Sequence, residues 1–160
     1  MDCPDHLGQP VTIRPATLTD EGDWAQLRHE LWSTGSVSEH GAEISQLLVN
    51  PGETLNLIAR TPTGLLVGFA EASIRHDYVN GCDSSPVAFL EGIYVRQDYR
   101  RLGYATHLVA AVESWALAQG CSEMASDADI ANHTSHSMHE ALGFAETQRV
   151  VYFRKGLSAD

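Results

Sequence analysis

The sequence contains few basic residues. Lys and Arg together number 10 against 21 Asp and Glu, so the formal net charge at pH 7 is −11 over 160 residues. A charge of this sign repels phosphate backbones and attracts cations, which argues against a nucleic-acid-binding protein and favours a cationic partner. The sequence also lacks a run of the roughly 18 apolar residues that a membrane helix needs, so no membrane partner is expected.

Cysteine is also scarce, and its arrangement argues against a disulfide framework. Cys3, Cys82 and Cys121 form an odd set without CxxC spacing, which is typical of a reducing compartment. The first residues include Asp2 and Asp5 and no apolar run, so they do not resemble a signal peptide. We therefore expect a cytoplasmic protein.

No linker, low-complexity tract or internal repeat interrupts the chain. We therefore expect one domain over residues 1–160, with a folded core from about Val11 to Lys155. Strand-like and helix-like periodicities alternate, which predicts an α/β fold with a mixed sheet and helices on both faces. The predicted strands are 11–14, 55–60, 65–74, 87–95, 121–126 and 147–154. The first predicted helix is capped by Thr19 or Asp20 and ends near Trp32, and the other three are 38–49, 103–118 and 132–142.

Charge is unevenly distributed along the chain. The first 57 residues carry nine acidic side chains against only Arg14 and Arg28, whereas Arg96, Arg100 and Arg101 lie within six residues. An acidic body with one basic segment predicts two ligands of opposite charge. The alternative is an acidic surface that serves solubility and a loop that happens to be basic.

The segment 87–106 passes from an apolar strand through a basic turn into a helix that begins at Gly103. A helix N-terminus offers unpaired backbone N–H groups and partial positive charge, and the small residues Gly103 and Ala105 leave room for a phosphate. Because Arg100 and Arg101 add positive charge there, the segment predicts a pyrophosphate site. The alternative is a glycine near a helix start that is flanked by solvated arginines.

Gly92 lies inside the predicted strand 87–95. A glycine within a strand weakens it and often marks a β-bulge or the close approach of another chain or ligand. A bulge leaves backbone N–H and C=O groups free, so an extended ligand with amide groups can pair there like an added strand. We therefore expect a ligand-binding bulge at Gly92.

Together these motifs resemble the GNAT acetyltransferases. The turn Arg100-x-x-Gly103-x-Ala105 follows the strand, and Asn132 and the stretch 141–144 (Ala-Leu-Gly-Phe) come after the helix. The resemblance implies that the turn binds the pyrophosphate of acetyl-CoA and that the bulged strand pairs with its pantetheine. It also implies a strongly twisted mixed sheet that is splayed in its middle.

A closer resemblance lies in three blocks, 72–86, 89–93 and 123–127. They are similar to the aminoglycoside 6'-N-acetyltransferases, in the subgroup of small chromosomal bacterial enzymes. This resemblance implies direct attack of the 6'-amine of an aminoglycoside on the thioester of acetyl-CoA, with antibiotic resistance as the consequence and a homodimer as the assembly. A polycationic aminoglycoside and a polyanionic coenzyme also match the uneven charge of the chain.

The resemblance carries site residues over position by position. Those implied to face the coenzyme are Ile93, Tyr94, Val95, Arg100, Arg101, Leu102, Gly103, Tyr104, Ala105, Thr106 and Asn132. Those implied to face the aminoglycoside are Trp32, Tyr78, Glu91, Asp127 and Gln148. Structural roles compete with three of them, since Trp32 and Tyr78 are aromatic residues that more often pack in a core, and Asp127 can cap a turn.

Glu91 and His139 are the candidate catalytic residues. The reaction needs a deprotonated amine, a polarised carbonyl and a proton for the coenzyme thiolate. Glu91 is predicted to steer the ammonium and accept its proton through water, or only to bind the cation. The backbone N–H of Ile93 is the predicted donor to the carbonyl oxygen. His139 is the predicted proton donor to the thiolate, or only a surface histidine.

Two residues depart from the family pattern. Gln148 stands where close relatives carry a glutamate, which removes one negative charge from the acceptor site, and Glu146 is the candidate to replace that charge. His139 stands where many GNAT enzymes carry a tyrosine acid. The general acid therefore stays open.

The spacing His133-x-x-His136-x-x-His139 is also that of a possible metal site. On a helix the outer two side chains splay by about 240°, and no carboxylate or cysteine at firm spacing completes the set, so no metal is expected. Other functions stay open: a protein, peptide or small polyamine N-acetyltransferase, or a protein that binds acetyl-CoA or an aminoglycoside without turnover. The acidic first part of the chain suits a compact polycation better than an extended peptide.

Overall fold

The computed structural model describes residues 10–159. The chain divides into two compact units, one that runs through Asp127 and one that begins at Ala128. The second unit contains α4 (His133–Ala141). The helices of the first unit are α1 (Glu21–Leu31), α2 (Val37–Val49) and α3 (Tyr104–Ala118). Its strands are β1 (Thr12–Pro15), β2 (Thr54–Arg60), β3 (Leu66–Arg75), β4 (Val87–Val95) and β5 (Met124–Ser126). Single 3₁₀ turns occupy Leu18–Asp20 and Gln97–Tyr99.

Within the described residues, five strands form one sheet in chain order. β1 to β4 pair antiparallel, and β5 lies parallel to β4. A parallel neighbour requires a crossover connection, which α3 provides. The predicted mixed α/β sheet is therefore confirmed.

Helices cover both faces of this sheet. On one face Phe69 of β3 packs with Trp24 of α1 and Ile44 of α2, and all three are fully buried. Ile74 lies on the other face of β3, because it is five positions after Phe69 and successive side chains alternate between the faces. Ile74 packs there with Ala116 of α3. The prediction of helices on both faces is confirmed.

Most predicted segments of the first unit agree with the structure. β4 has the predicted limits, and residues 76–86 form a loop. Gly103 is the N-cap of α3 and has a φ of 88°, which a residue with a side chain rarely adopts. β5 is shorter than predicted, because only Met124–Ser126 pairs with a neighbouring strand.

The predicted strand 147–154 is wrong. In the second unit the residues after α4 form no helix or strand, and Val151, Tyr152 and Phe153 are 77%, 83% and 93% exposed. An apolar extended segment becomes a strand only when another strand bonds to its backbone, and no described strand pairs with this one. Cys121 is the last buried residue among those that the structure describes.

Cys82 and Cys121 are free thiols, and Cys3 lies outside the described residues. Between residues 10 and 159, no helix is both long and apolar enough to span a membrane.

The side chain of Asp20 is fully buried at the start of α1. Burial alone raises the pKa of its carboxyl, but hydrogen bonds from Arg14, Arg60 and the Thr17 N–H outweigh burial and hold the pKa well below its usual range. Arg14 donates to both carboxylate oxygens at 2.8 Å, and the Thr17 N–H donates at 2.8 Å. Because Arg60 also donates to it, Asp20 joins α1 to β1 and β2.

We predict that Asp20→Asn lowers the free energy of unfolding at pH 7 by about 2–4 kcal/mol, since it leaves two arginines without their counter-charge. Arg14 and Arg60 are 38% and 21% exposed, which keeps the expected loss at the lower end of that range. Urea unfolding measures it, with Asp23→Asn on the exposed side of α1 as a control that changes stability by under about 1 kcal/mol.

The effect has a defined pH dependence. Because the pKa of Asp20 is depressed in the folded state, its contribution is present above the unfolded pKa of about 3.9 and is lost as the pH falls below it. The difference between Asp20→Asn and the parent protein should therefore shrink below about pH 4. Equal urea midpoints of the two proteins at pH 7 would contradict the assignment.

Candidate active site

β4 contains a bulge at the predicted place. Leu90 pairs with Ala72 of β3, and Gly92 pairs with the preceding Glu71, so Glu91 is the extra residue of the register. A bulge of this kind re-aims a side chain and interrupts the backbone ladder. The bulge predicted from Gly92 is confirmed.

The sheet also opens at this point. β5 pairs with β4 only from Ala88 to Leu90, where Ser126 is the last partner. Beyond it β4 continues to Val95 without a strand on that edge, among the residues that the structure describes. Asp127 directly follows Ser126, and Glu91 directly follows Leu90, the partner of Ser126, so the two carboxylate residues come just after the point where the parallel pairing stops. The predicted splay of the sheet is therefore confirmed, with two carboxylates at the fork.

Trp32 packs onto Gly92 at the bulge. A Cβ atom on Gly92 would lie 2.6 Å from Cη2 of Trp32 and 3.2 Å from Cδ2 of Leu31, so a side chain there has no space. The Trp32 ring also makes an edge contact with Phe69, with centroids 6.0 Å apart. The close approach that Gly92 predicts is thus made by the ring of Trp32.

Glu91 is held by two neighbours on β3. The Ser73 hydroxyl donates to Oε1 at 2.6 Å, and Arg75 Nη2 donates to Oε1 and Oε2 at 2.9 and 3.0 Å. The Arg75 guanidinium also stacks on the ring of Phe89, 3.6 Å from its centroid. Glu91 therefore already binds a cation of its own chain, which is the chemistry that an ammonium group requires.

Sequence reasoning assigned no role to Ser73 or Arg75, although both lie in the matched block 72–86. Their contact with Glu91 depends on the bulge, because one extra residue shifts every later pairing between β3 and β4. Alternation along the strands alone does not reveal that shift.

The turn before α3 has the form of an anion site. Arg101 has a φ of 63° and Gly103 a φ of 88°, so two residues of the turn adopt left-handed backbone. Left-handed residues in a turn allow neighbouring N–H groups to point to one side, and the first turn of α3 adds N–H groups without helical partners. Arg101 is exposed beside them. The geometry supports the predicted phosphate site.

Arg100 has a structural role that the sequence did not reveal. Its Nε donates to the carbonyl oxygen of Val95 at 2.9 Å, and its guanidinium lies 5.5 Å from the centroid of the Tyr94 ring. Both contacts tie the turn to the end of β4. Tyr94 in turn donates its hydroxyl to Glu30 of α1 at 2.8 Å.

The remaining predicted coenzyme residues of the first unit differ in exposure. Ile93 and Val95 are buried on β4, so their backbone rather than their side chains is available at the open edge. Tyr104 is also buried, and burial raises the pKa of its hydroxyl. Leu102 and Ala105 are half-buried and Thr106 is exposed.

The two aromatic residues predicted to face the aminoglycoside, Trp32 and Tyr78, differ in their exposure to solvent. Tyr78 is 75% exposed in the loop 76–86, so a role in the core is excluded for it. Trp32 fits both a role in the core and a role in substrate binding, because its ring is half-buried against Phe69 and still borders the bulge. Asp127 is exposed at the fork.

The second unit contains Asn132, His139 and Gln148. Asn132 is the N-cap of α4, where its side chain accepts from the Ser135 N–H at 3.1 Å, a role that asparagine before a helix predicts. His139 Nδ1 lies 2.7 Å from the Ser135 carbonyl oxygen, and its ring is 5.3 Å from that of Phe144.

Gln148 is exposed. Glu146 forms an ion pair with Arg149, which lowers the pKa of the Glu146 carboxyl. The candidate replacement for the missing glutamate therefore already has a partner. Across residues 10–159 no group of three His, Cys, Asp or Glu side chains could hold a metal ion.

Residues 22–144 match the model of the acetyltransferase (GNAT) family, which includes the bulged strand, the turn and α4. The chain belongs to the GNAT family of acetyltransferases. Among curated relatives, the aminoglycoside N(6')-acetyltransferase type 1 of Serratia marcescens is 55% identical over 134 residues, which cover 84% of this chain and 91% of that protein.

Solved structures resemble this GNAT acetyltransferase closely. The aminoglycoside antibiotic 6'-N-acetyltransferase AAC(6')-Ih from Acinetobacter baumannii has a TM-score of 0.88 and 48% identity, covering 93% of this chain and 100% of that chain. AAC(6')-Iy in complex with the bisubstrate analogue CoA-S-monomethyl-acetylneamine has a TM-score of 0.85 and 45% identity, covering 92% of this chain and 99% of that chain.

We predict that Gly92→Ala lowers the free energy of unfolding of this acetyltransferase by about 1–3 kcal/mol, because Trp32 or the bulge must move. Gly22→Ala is the matched control. Gly22 lies in α1 with open space around its Cβ position, so alanine there should raise stability by up to about 1 kcal/mol.

Urea unfolding of both variants tests the packing at the bulge. Near-ultraviolet circular dichroism reports whether the environment of the tryptophans changes in Gly92→Ala alone. A Gly92→Ala protein with the parent midpoint and the parent spectrum would show that Trp32 does not rest on the bulge.

Proposed function

We propose that this chain transfers the acetyl group of acetyl-CoA to the 6'-amine of an aminoglycoside, which confers resistance to that antibiotic. The observation that carries this proposal is the fork between β4 and β5. There the bulge residue Glu91 and the carboxylate of Asp127 follow paired residues of β4 and β5, and β4 runs on towards an anion-binding turn at Arg101 and Gly103. The names of the relatives agree with it.

The turn and the open edge of β4 fit the coenzyme. The N–H groups from Arg101 to Ala105 would hold the pyrophosphate, with Arg101 adding positive charge. The backbone from Ile93 to Val95 would pair with the amide groups of the pantetheine arm, as an added strand does. When bound, the coenzyme supplies the acetyl group as an activated thioester.

The acidic side of the fork fits the aminoglycoside. Glu91 would accept hydrogen bonds from the ammonium group to be acetylated, in competition with Arg75. This pair is 43% and 35% exposed, so its exchange for a substrate cation costs little. Asp127 and the exposed ring of Tyr78 would bind further ammonium groups, and the Trp32 ring adds a cation–π face.

The chemistry of the transfer sets the proton roles. The amine nitrogen forms a bond to the acetyl carbon, the carbon–sulfur bond breaks, the amine loses a proton and the sulfur gains one. We assign the first proton to Glu91 through water, and polarisation of the carbonyl oxygen to the Ile93 N–H. His139 is our candidate for the proton that reaches sulfur.

The assembly is also a proposal. The family match spans residues 22–144 and so includes parts of both units, which supports one acetyltransferase domain over residues 1–160. The exposed apolar run from Val150 to Phe153 favours burial against a second copy, as a homodimer would provide. A sedimentation mass near twice 17.4 kDa supports that assembly, and a mass near 17.4 kDa excludes it. We also place the protein in the cytoplasm.

We predict thiol release from acetyl-CoA with an aminoglycoside that bears a 6'-amine, and none with an analogue that bears a 6'-hydroxyl. A primary amine is the nucleophile that this site selects, because Glu91 binds a cation and a hydroxyl carries no charge. A thiol-reactive dye measures the release. Release with neither compound, despite acetyl-CoA binding, would contradict the proposal and favour a peptide substrate or a ligand-binding role.

The variant Glu91→Gln tests the acceptor side of the same reaction. We expect kcat/KM for the aminoglycoside to fall about 10- to 100-fold, since a charge-assisted hydrogen bond is worth about 1.5–3 kcal/mol. KM for acetyl-CoA should stay within about twofold. Glu113→Gln, on an exposed position of α3, is the control that changes only charge. Equal kcat/KM in Glu91→Gln and Glu113→Gln would remove Glu91 from the site.

A further inference from the structure

A second polar cluster lies behind Trp32, on the same face of the sheet. Glu71 of β3 is 6% exposed, and its Oε1 accepts a hydrogen bond from Trp24 Nε1 at 3.0 Å. Arg28 Nη1 lies 3.4 Å from the same oxygen, and the Arg28 side chain is 8% exposed. Nothing in the proposed reaction uses these three residues.

Two routes connect Glu71 with the bulge. Across the sheet, Glu71 is the direct partner of Gly92 in the register. Through α1, the guanidinium of Arg28 lies 5.1 Å from the centroid of the Trp32 ring, which packs on Gly92. Arg28 therefore stands between the carboxylate of Glu71 and the ring that borders the acceptor side of the fork.

Charge rather than a full set of hydrogen bonds holds Arg28 in place. Its Nη2 donates to Glu43 of α2 at 2.6 Å, whereas Nε and Nη1 have no hydrogen-bond partner. An open pocket of about 530 Å³ adjoins the cluster, lined by Arg28, Glu43, Gln46, Leu47, Asn50 and Glu71. The position of the guanidinium therefore depends on its ion pairs with Glu43 and Glu71.

We infer that Glu71 is a positioning residue, which acts through Arg28 on the Trp32 ring and so sets the shape of the acceptor side of the bulge. This inference rests on the proposed function. It adds a residue that touches neither substrate nor coenzyme, and it gives the buried Arg28 a role beyond packing.

Glu71 can change its charge near neutral pH. Burial raises the pKa of its carboxyl to about 7, although Arg28 and the Trp24 N–H favour the ionised form. The other charged groups that face it are Glu43 of α2 and Glu91 of β4, which both raise this pKa, while His40 of α2 lies 4.0 Å from Glu43. Above about pH 7 the Glu71 carboxylate therefore holds Arg28, and below it that attraction is lost.

The linked effect on stability has the opposite sign to that of Asp20. An acid with a raised folded-state pKa binds its proton more tightly in the folded protein, so stability falls as the pH rises from about 4.5 towards 7. Glu71→Gln should remove that decline. A merely structural role of Glu71 would produce the same change in stability. Stability measurements therefore do not distinguish a positioning role from a structural one.

Fluorine NMR of protein labelled with 5-fluorotryptophan distinguishes the two roles of Glu71, because each of the three tryptophans reports on a different part of the structure. Trp24 bonds to Glu71, Trp32 lies beyond Arg28, and Trp115 packs on the other face of the sheet. We expect the Trp24 and Trp32 signals to shift together with a midpoint near pH 7, while Trp115 stays constant. In Glu71→Gln both shifts should disappear.

A second variant keeps the test informative where Glu71→Gln folds poorly. Trp24→Phe removes a hydrogen bond that favours the ionised carboxylate, so the midpoint of the Trp32 signal should move to higher pH. A Trp32 signal that stays flat from pH 5.5 to 8.5 would overturn the inference, whether or not Trp24 titrates.

Kinetics measure the consequence for the reaction. The ratio of kcat/KM for the aminoglycoside in the parent protein to that in Glu71→Gln should fall from about tenfold at pH 8.5 to about one at pH 5.5. The ratio cancels the titration of the substrate amine itself, and Glu113→Gln should give a ratio near one throughout. A ratio that is constant with pH would assign Glu71 a merely structural role and overturn the inference.

The two proposals fail in different ways. A parent protein without aminoglycoside acetylation would refute the proposed function, while the fluorine signals would still report whether Glu71 acts on Trp32.

Discussion

The site depends on one missing side chain. Because Gly92 has no Cβ, the ring of Trp32 lies directly on the backbone of β4, and the strand bulges where the two meet. The same bulge turns Glu91 out of the register towards Ser73 and Arg75. A residue with a side chain at position 92 would require the Trp32 ring or the bulge itself to move.

Two buried carboxylates, Asp20 and Glu71, have opposite electrostatics. Asp20 is surrounded by donors on every side, so it stays ionised deep into acid. Glu71 has one charged partner at a longer distance, Arg28, and burial dominates its pKa. Asp20 therefore keeps its charge and links α1 to the sheet through ion pairs. Glu71 has a charge that follows pH in the range where an amine acceptor also titrates.

Apolar runs and glycines in the sequence predicted the features of the fold that depend on neighbouring residues in the chain. The limits of β4, the start of α3 after Gly103 and the bulge at Gly92 follow from apolar runs and from glycine, and all agree with the structure. The contact of Arg75 with Glu91 was not predicted, because it depends on a register that the bulge shifts. The segment 147–154 was predicted as a strand from its apolar residues, but a strand also needs a neighbour.

We propose that acceptor and coenzyme meet at the bulge of β4. This can be tested by a crystal structure of this chain with a conjugate of coenzyme A and an aminoglycoside, joined through the 6'-nitrogen. We expect this nitrogen to lie within hydrogen-bond reach of Glu91, beside the Trp32 ring, with the pyrophosphate on the N–H groups between Arg101 and Ala105. A conjugate bound with its nitrogen remote from Glu91, or with its phosphates away from that turn, would refute the proposed site.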